Sequence, residues 1–196
     1  LHLSLRRQRP DVYKRQEYMK RDTKRLSDNV NRILQLGRLE DKNIKADFKD
    51  EDLISVIGQF IKNTPHLFDE GRVEFESDVE SYFMQIDFGL FEMLLMNLVT
   101  NGFIYNKSRE KLVRIKVTMI EKSLVIDVSD NGIGLEKSEL KKVFKKFYQV
   151  GRSTKGSGLG LYIVQSIVKL HKGEITAHSD GVGKGTIFRI VFKETK

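Results

Sequence analysis

Four clusters of glycine and polar residues, set in order through the second half of the chain, constrain its fold most. They are Asn97-Leu98-Val99-Thr100-Asn101, Asp130-Asn131-Gly132-Ile133-Gly134, Gly156-Ser157-Gly158-Leu159-Gly160-Leu161 and Gly183-Lys184-Gly185-Thr186. A lone Gly-x-Gly is an ordinary turn. Here every cluster adjoins a segment with helical or strand periodicity, so glycine loops are mounted on regular elements. Glycine permits positive φ and close backbone approach, which a site for a flat or highly charged ligand requires.

At 196 residues the chain has room for one ordinary domain and an appendage. It has no cysteine, which rules out disulfides and thiolate metal sites and is consistent with a reducing compartment. No apolar run approaches the roughly 20 residues that a membrane helix needs. The net charge of +8 is unevenly placed. Residues 1–45 carry thirteen Lys/Arg against six Asp/Glu, and the remainder twenty-two against twenty-one. The globular part is thus almost neutral, which argues against nucleic acid as a partner, since that needs a basic face on the folded domain.

Residues 1–16 are basic, contain Pro10 and lack a regular period, so they read as a non-native-looking or disordered leader. From Glu17 to about Asp41, Leu26, Val30, Ile33, Leu34 and Leu36 or Gly37 recur at helical spacing and predict a helix that needs a partner. Ile44–Lys49 alternates like a short strand. Asp50, Glu51 and Asp52 predict an acidic start for a helix over Leu53–Asn63, which Pro65 ends. Val73–Ser77 and Phe83–Ile86 are strand candidates. Asp87 is placed to cap the next helix, whose buried stripe is Phe91, Leu94, Leu95 and Leu98. Leu112–Ile120 and Leu124–Ser129 read as a hairpin joined by Glu121-Lys122-Ser123. Glu136–Phe147 carries a helical pattern, and 149–157 has the composition of a loop. Leu159–His171 predicts an amphipathic helix stopped by Gly173; strands follow at Glu174–His178 and Thr186–Phe192.

Asn97 and Asn101 are four apart, so both amides leave one face of their helix. Their oxygens suit Mg²⁺, a hard ion that keeps waters and phosphate oxygens in its shell. Asp130 ends a strand. Alone it would read as an Asx/Gly turn, but beside the other clusters it is placed to accept from an exocyclic amine such as that of adenine. Gly156–Leu161 precedes a helix, where backbone N–H groups and the helix dipole suit phosphates. It is neither a Walker A loop nor a dinucleotide fingerprint, since it lacks the Gly-Lys-Ser/Thr ending and the strand directly before it. Arg152 and Lys155 either add charge to the phosphates or are solvated loop cations. Phe144, Phe147 and Tyr148 flank the loop, and Tyr105 can stack on a purine.

These residues resemble the catalytic and ATP-binding domain of sensor histidine kinases, within the gyrase, Hsp90, histidine kinase and MutL superfamily. Asn97 and Asn101 fall in its N box, Asp130-x-Gly132-x-Gly134 is similar to its G1 box, and Phe144–Tyr148 to its F box. Gly156–Leu161 resembles the G2 box and Gly183–Thr186 the G3 turn. Glu17–Asp41, ending in Arg38-Leu39-Glu40, resembles the second helix of the dimerisation and phosphoacceptor domain.

The resemblance implies an α+β fold: a two-layer α/β sandwich of the Bergerat type, a mixed sheet covered on one face by helices. The division implied is a leader at 1–16, a dimerisation helix at 17–43 and a catalytic domain at 44–196. ATP and Mg²⁺ are the implied cofactors, with Asn97 and Asn101 serving metal and phosphate and Asp130 the adenine amine. Thr186 would make a water-linked contact to the base, and Gly132, Gly134, Gly156, Gly158, Leu159 and Gly160 would shape the pocket. The implied reaction is transfer of the γ-phosphoryl to a histidine, then to a response regulator, in a cytoplasmic homodimer.

The chain also departs from the pattern. Thr100 stands where the family often has an acidic residue, Gly102 replaces the usual Ala, and Ile104 replaces a Lys that reaches the phosphates. None of His2, His66, His171 and His178 sits in an H box, so the acceptor histidine is expected upstream of this sequence. Two alternatives follow: a non-catalytic ATP-binding or scaffold module, and another ATPase or Ser/Thr kinase of the superfamily.

Overall fold

A computed structural model of the chain describes residues 46–150 and 156–193, together with Gln16, Met19, Thr23, Leu34 and Gly37. The chain divides into two compact units, Leu1–Ile44 and Lys45–Lys196. In the first, the five described positions are helical. Thr23 Oγ1 donates to the Met19 carbonyl at 2.8 Å. The leader and most of the expected 17–41 helix, Arg38-Leu39-Glu40 included, lie outside the described residues.

The second unit opens with β1 (Lys49–Asp52) and α1 (Leu53–Asn63). The strand expected at Ile44–Lys49 is therefore displaced toward the acidic run. Asp50 and Glu51 pair with Gln85 and Met84 of β3 (Phe83–Ile86), and do not start the helix. Asp52 alone caps α1, accepting from the Ile54 and Ser55 amides at 3.3 and 3.2 Å. It also takes the Tyr82 amide at 2.8 Å, which ties the helix start to the approach to β3.

β2 (Arg72–Ser77) lies at one edge of a five-stranded sheet ordered β2-β4-β5-β7-β6. Its other strands are β4 (Leu112–Ile120), β5 (Ser123–Asp130), β6 (Glu174–His178) and β7 (Thr186–Lys193). β2 runs parallel to β4 and all other pairs are antiparallel, so the sheet is mixed as expected. Alternation puts Val113, Ile115 and Val117, Leu124, Ile126 and Val128, and Phe188, Ile190 and Phe192 on one buried face. The register stacks Ile115 opposite Val128 and Ile126 opposite Ile190. Residues of the other phase are mixed, with Val125 opposite Val191 and Arg189 forked onto Asp127 at 2.8 and 2.7 Å.

Helices α1, α2 (Phe88–Ile104) and α3 (Gly160–Leu170) supply the second layer. α2 buries Phe91, Leu94, Leu95 and Leu98, as its spacing predicts, and packs against α3, β4 and β5. The end of α3 departs from expectation. Its left-handed residue is Lys172 (φ 60°), not Gly173. The Gly173 amide reaches back to Val168 and that of Lys172 to Lys169, both at 2.9 Å, closing a Schellman motif. Glycine is needed for space instead, because a Cβ at 173 would stand 2.6 Å from Phe192.

The helix expected over Glu136–Phe147 is a series of turns. Its amides mostly reach back three residues, as in Glu139 to Glu136 and Lys142 to Glu139. Val143 and Phe144 are buried there, but Phe147, which would extend a helical stripe, is exposed. Among the described residues, no helix is long and apolar enough to cross a membrane.

Candidate nucleotide site

The clusters converge on a pocket of about 580 Å³, partly open to solvent, lined by Asn101, Tyr105, Asp130, Gly134, Leu161 and Thr186 among others. Ile133, Leu135, Val143 and Phe188 make most of it apolar. Asp130 is the last residue of β5 and is half-buried. Burial pushes its carboxyl up to about 6, against the Gly132 and Thr186 amides, which pull it down. The Gly132 amide donates to Asp130 Oδ1 at 2.8 Å. A Cβ at 132 would lie 2.6 Å from the Tyr105 carbonyl, so glycine is what lets β5 turn against the end of α2.

Thr186 is buried and faces Asp130 across β5 and β7. Tyr105 caps the end of α2, and its carbonyl accepts from the Ile133 amide at 3.0 Å. Gly134 (φ +68°) sits on the carbonyl of Gly181, binding the G1-like loop to the G3-like turn. Two further bonds tie these loops: Gly183 to Ile133 at 2.7 Å and Gly185 to Gly132 at 3.2 Å.

At the other side, Gly160 opens α3, with no side chain capping the helix. A Cβ there would stand 3.0 Å from Asn97 Oδ1 and 3.7 Å from Asn101 Nδ2. Asn97 is buried, and its Nδ2 donates to the Met93 carbonyl at 2.9 Å, leaving the oxygen for the gap beside Gly160. Among the described residues no group of three His, Cys, Asp or Glu is placed to hold a metal. The oxygen donor here is that of Asn97, beside the Asn101 carboxamide, in a cradle that one methyl would fill. So sparse a site fits Mg²⁺, most of whose ligands are water and phosphate.

The G2-like residues divide by role. Gly158 (φ +70°) lies against the backbone of Phe147, where a Cβ would come within 2.6 Å. Leu159 is 1% exposed, so its side chain belongs to the core and only its backbone is left to meet a ligand. The Gly156 carbonyl accepts from Gln149 Nε2 at 2.6 Å. Arg152 and Lys155 lie outside the described residues. Of the flanking aromatics, Phe144 is core, edge-on to Phe188 at 6.2 Å, whereas Phe147 is 66% exposed. Tyr148 donates to Glu139 at 2.9 Å.

Three contributors escaped the sequence reading. Gln149 lines the pocket and grips Gly156. Ser179 Oγ accepts from the Leu135 amide at 3.0 Å and donates to the Gly185 carbonyl at 2.6 Å, joining two glycine loops. Asn131 anchors the segment before β4. The departures also gain an account. Thr100 Oγ1 donates to the Met96 carbonyl at 2.6 Å and stays on its own helix. A Cβ on Gly102 would lie 2.5 Å from Val113 Cγ2, so glycine lets α2 press onto β4.

Residues 87–196 match the family described as histidine kinase-, DNA gyrase B-, and HSP90-like ATPase. The sensor protein RprX of Bacteroides fragilis is 35% identical over 177 residues, covering 86% of this chain and 34% of its own length. The signal transduction histidine-protein kinase ArlS of Staphylococcus haemolyticus is 31% identical over 156 residues, 77% of this chain and 34% of the relative. The chain thus spans about a third of each. The fold is similar to that of full-length ShkA in complex with AMPPNP, with a TM-score of 0.73 at 22% identity, covering 85% of this chain and 35% of that one. It is also similar to that of histidine kinase ThkA in complex with the response regulator protein TrrA, with a TM-score of 0.71 at 18% identity and coverages of 88% and 49%. With the ordered glycine clusters gathered around one pocket, the chain belongs to the histidine kinase-, DNA gyrase B- and HSP90-like ATPase family.

Proposed function

We propose that this chain is the ATP-binding kinase core of a sensor histidine kinase. The observation that carries the reading is one half-buried carboxylate, Asp130, in an apolar pocket that Asn101 and Leu161 also line, with Asn97 Oδ1 close against Gly160 at the start of α3. Asp130 accepts from the adenine amine, Tyr105 and the apolar wall hold the ring, and the first amides of α3 take the phosphates. Arg152 and Lys155 add charge to them. Asn97 and Asn101 would hold Mg²⁺, which when bound neutralises charge on the phosphate oxygens.

The bond from the γ-phosphorus to the ADP oxygen breaks, a phosphorus–nitrogen bond forms on a histidine, and the imidazole proton is released. The chain's share is positioning and electrostatics. The phosphoryl group then passes to an aspartate of a response regulator. The names of the relatives support this reading, as do the AMPPNP and response-regulator complexes of ShkA and ThkA. His171 is not the acceptor, since it is buried with both nitrogens engaged. The acceptor lies on a dimerisation helix, in a homodimer that works in the cytoplasm.

The test supplies the chain with γ-labelled ATP, Mg²⁺ and a separate His-bearing helical hairpin from a sensor kinase. Acid-labile label on the hairpin, lost with Asn101→Ala, is expected. ATP binding without any transfer would leave a binding module in place of a kinase.

A further inference from the structure

Asn131 separates Asp130 from Gly132, yet its side chain serves the loop that joins α2 to β4. Its Oδ1 accepts from the Leu112 amide at 2.8 Å and from Asn106 Nδ2 at 2.7 Å. Its Nδ2 donates to the Glu110 carbonyl at 2.8 Å. Its own carbonyl accepts from Ser108 Oγ at 2.8 Å, and its amide donates to the Leu112 carbonyl at 3.3 Å. Asn106 is buried and holds the loop from inside, its Oδ1 accepting from the Ser108 amide at 2.9 Å.

One carboxamide thus closes the space between the end of α2 and the start of β4. Both neighbours of Asn131 touch the site: Asp130 lines the pocket, and Gly132 lies on the Tyr105 carbonyl. The same loop begins at Tyr105, whose carbonyl takes the Ile133 amide. Asp130 is therefore fixed from behind by bonds that reach 19 to 25 residues back along the chain. An Asx turn to Gly132 sets the carboxylate's local direction, and the Asn131 bonds together with the Ile133 amide on Tyr105 set where that turn sits relative to the end of α2.

We infer that Asn131 and Asn106 form a positioning pair that holds Asp130 where it tells an amino group from a carbonyl group on a bound purine. The inference rests on the reading of Asp130 as the base contact. A purely structural role would weaken every nucleotide alike. A positioning role weakens the nucleotide whose amine Asp130 must reach, and leaves its carbonyl counterpart nearly untouched.

The experiment measures calorimetric affinities of the full chain for ATP and for inosine triphosphate, both with Mg²⁺. The unaltered chain should prefer ATP. Asn131→Ala and Asn106→Ala should each lower ATP affinity by about tenfold, the effect of one or two hydrogen bonds, and shrink the preference to near unity. The double variant should lose less than the two single losses combined, because the bond between the two carboxamides is counted in both. Ser108→Ala, a milder cut in the same loop, replaces any variant that fails to fold and should reduce the preference partway. An unaltered chain without preference would overturn the base-contact reading itself. Variants that keep the preference, or lose both nucleotides by the same factor, would overturn the positioning pair alone.

Discussion

The backbone amide of Asp87 donates to Nε2 of His171 at 3.1 Å, joining the start of α2 to the end of α3. The other ring nitrogen, Nδ1, donates to the Ile167 carbonyl at 2.9 Å, so the neutral ring is satisfied on both sides. Phe48 and Phe91 stand edge-on to it at 5.1 and 5.8 Å. Through its carboxylate Asp87 also takes the amides of Leu90 and Asp47, at 3.0 and 2.9 Å. The two helices that carry Asn97, Asn101 and Gly160 are thus tied at the ends remote from the pocket.

Protonation of His171 would replace the acceptor for Asp87 with a second donor. Burial holds its pKa below the ordinary 6.5, against the Ile167 carbonyl and the Asp87 charge, which raise it. The unfolded chain then binds the proton more readily, so stability from this group is complete above about pH 6.5 and declines as pH falls below it. Urea titrations should show that decline, and His171→Ala should abolish it while costing about 2–3 kcal/mol at pH 7.5. The same slope in the variant would remove His171 from the account.

Asp130 works in the opposite direction. Its carboxyl is raised from 3.8 to about 6, so the folded state favours the neutral acid and loses stability as pH rises through that window. Above pH 6 the charged form stays destabilising. Asp130→Asn should therefore stabilise the chain at pH 7.5 by about 1–2 kcal/mol, allowing for partial exposure. It also isolates the His171 slope for measurement. A destabilised variant would mean that the amides of Gly132 and Thr186 outweigh the burial.

Gly102 tests whether helix propensity or packing governs the N box. Alanine is the better helix former by about 1 kcal/mol. Its Cβ would nonetheless meet Val113 Cγ2 at 2.5 Å and Asp130 Cβ at 3.3 Å. Gly102→Ala should therefore lower stability by about 1–3 kcal/mol, as overpacking does. Much of that loss should return in Gly102→Ala/Val113→Ala, judged by denaturant midpoints. A single variant more stable than the parent would show that the contact relaxes freely.

Ser179 joins loops 44 and six residues distant in sequence, at Leu135 and Gly185. Ser179→Ala should cost about 1–3 kcal/mol and weaken nucleotide binding, since Gly134 and Thr186 lose a shared anchor. Unchanged thermal unfolding and affinity would make the hydroxyl incidental.

The elements most legible in the sequence were those whose burial follows a simple period. Phe91, Leu94, Leu95 and Leu98 mark α2, and Val113, Ile115 and Val117 mark β4 without help from other segments. Glu136–Phe147 misled because Leu140, Val143, Phe144 and Phe147 are spaced like a helical stripe, which successive turns can also satisfy. The shift of β1 toward Asp52 depends on pairing with β3, which no local pattern announces. In the site, glycines and Asp130 stand out because their chemistry is unusual wherever they occur. Asn131, Gln149 and Ser179 are ordinary polar residues, and most of their partners come from distant loops. The one available hint was that Asn131 sits between Asp130 and a glycine that must turn.

The most direct test of the central claim is calorimetric binding of a non-hydrolysable ATP analogue to the chain and to Asp130→Asn, with and without Mg²⁺. The account predicts Mg²⁺-dependent binding to the unaltered chain and a loss of at least about tenfold in the variant, the scale of a charge-assisted hydrogen bond. Equal affinity in the two proteins would contradict it, because the pocket would then recognise the nucleotide without its one carboxylate.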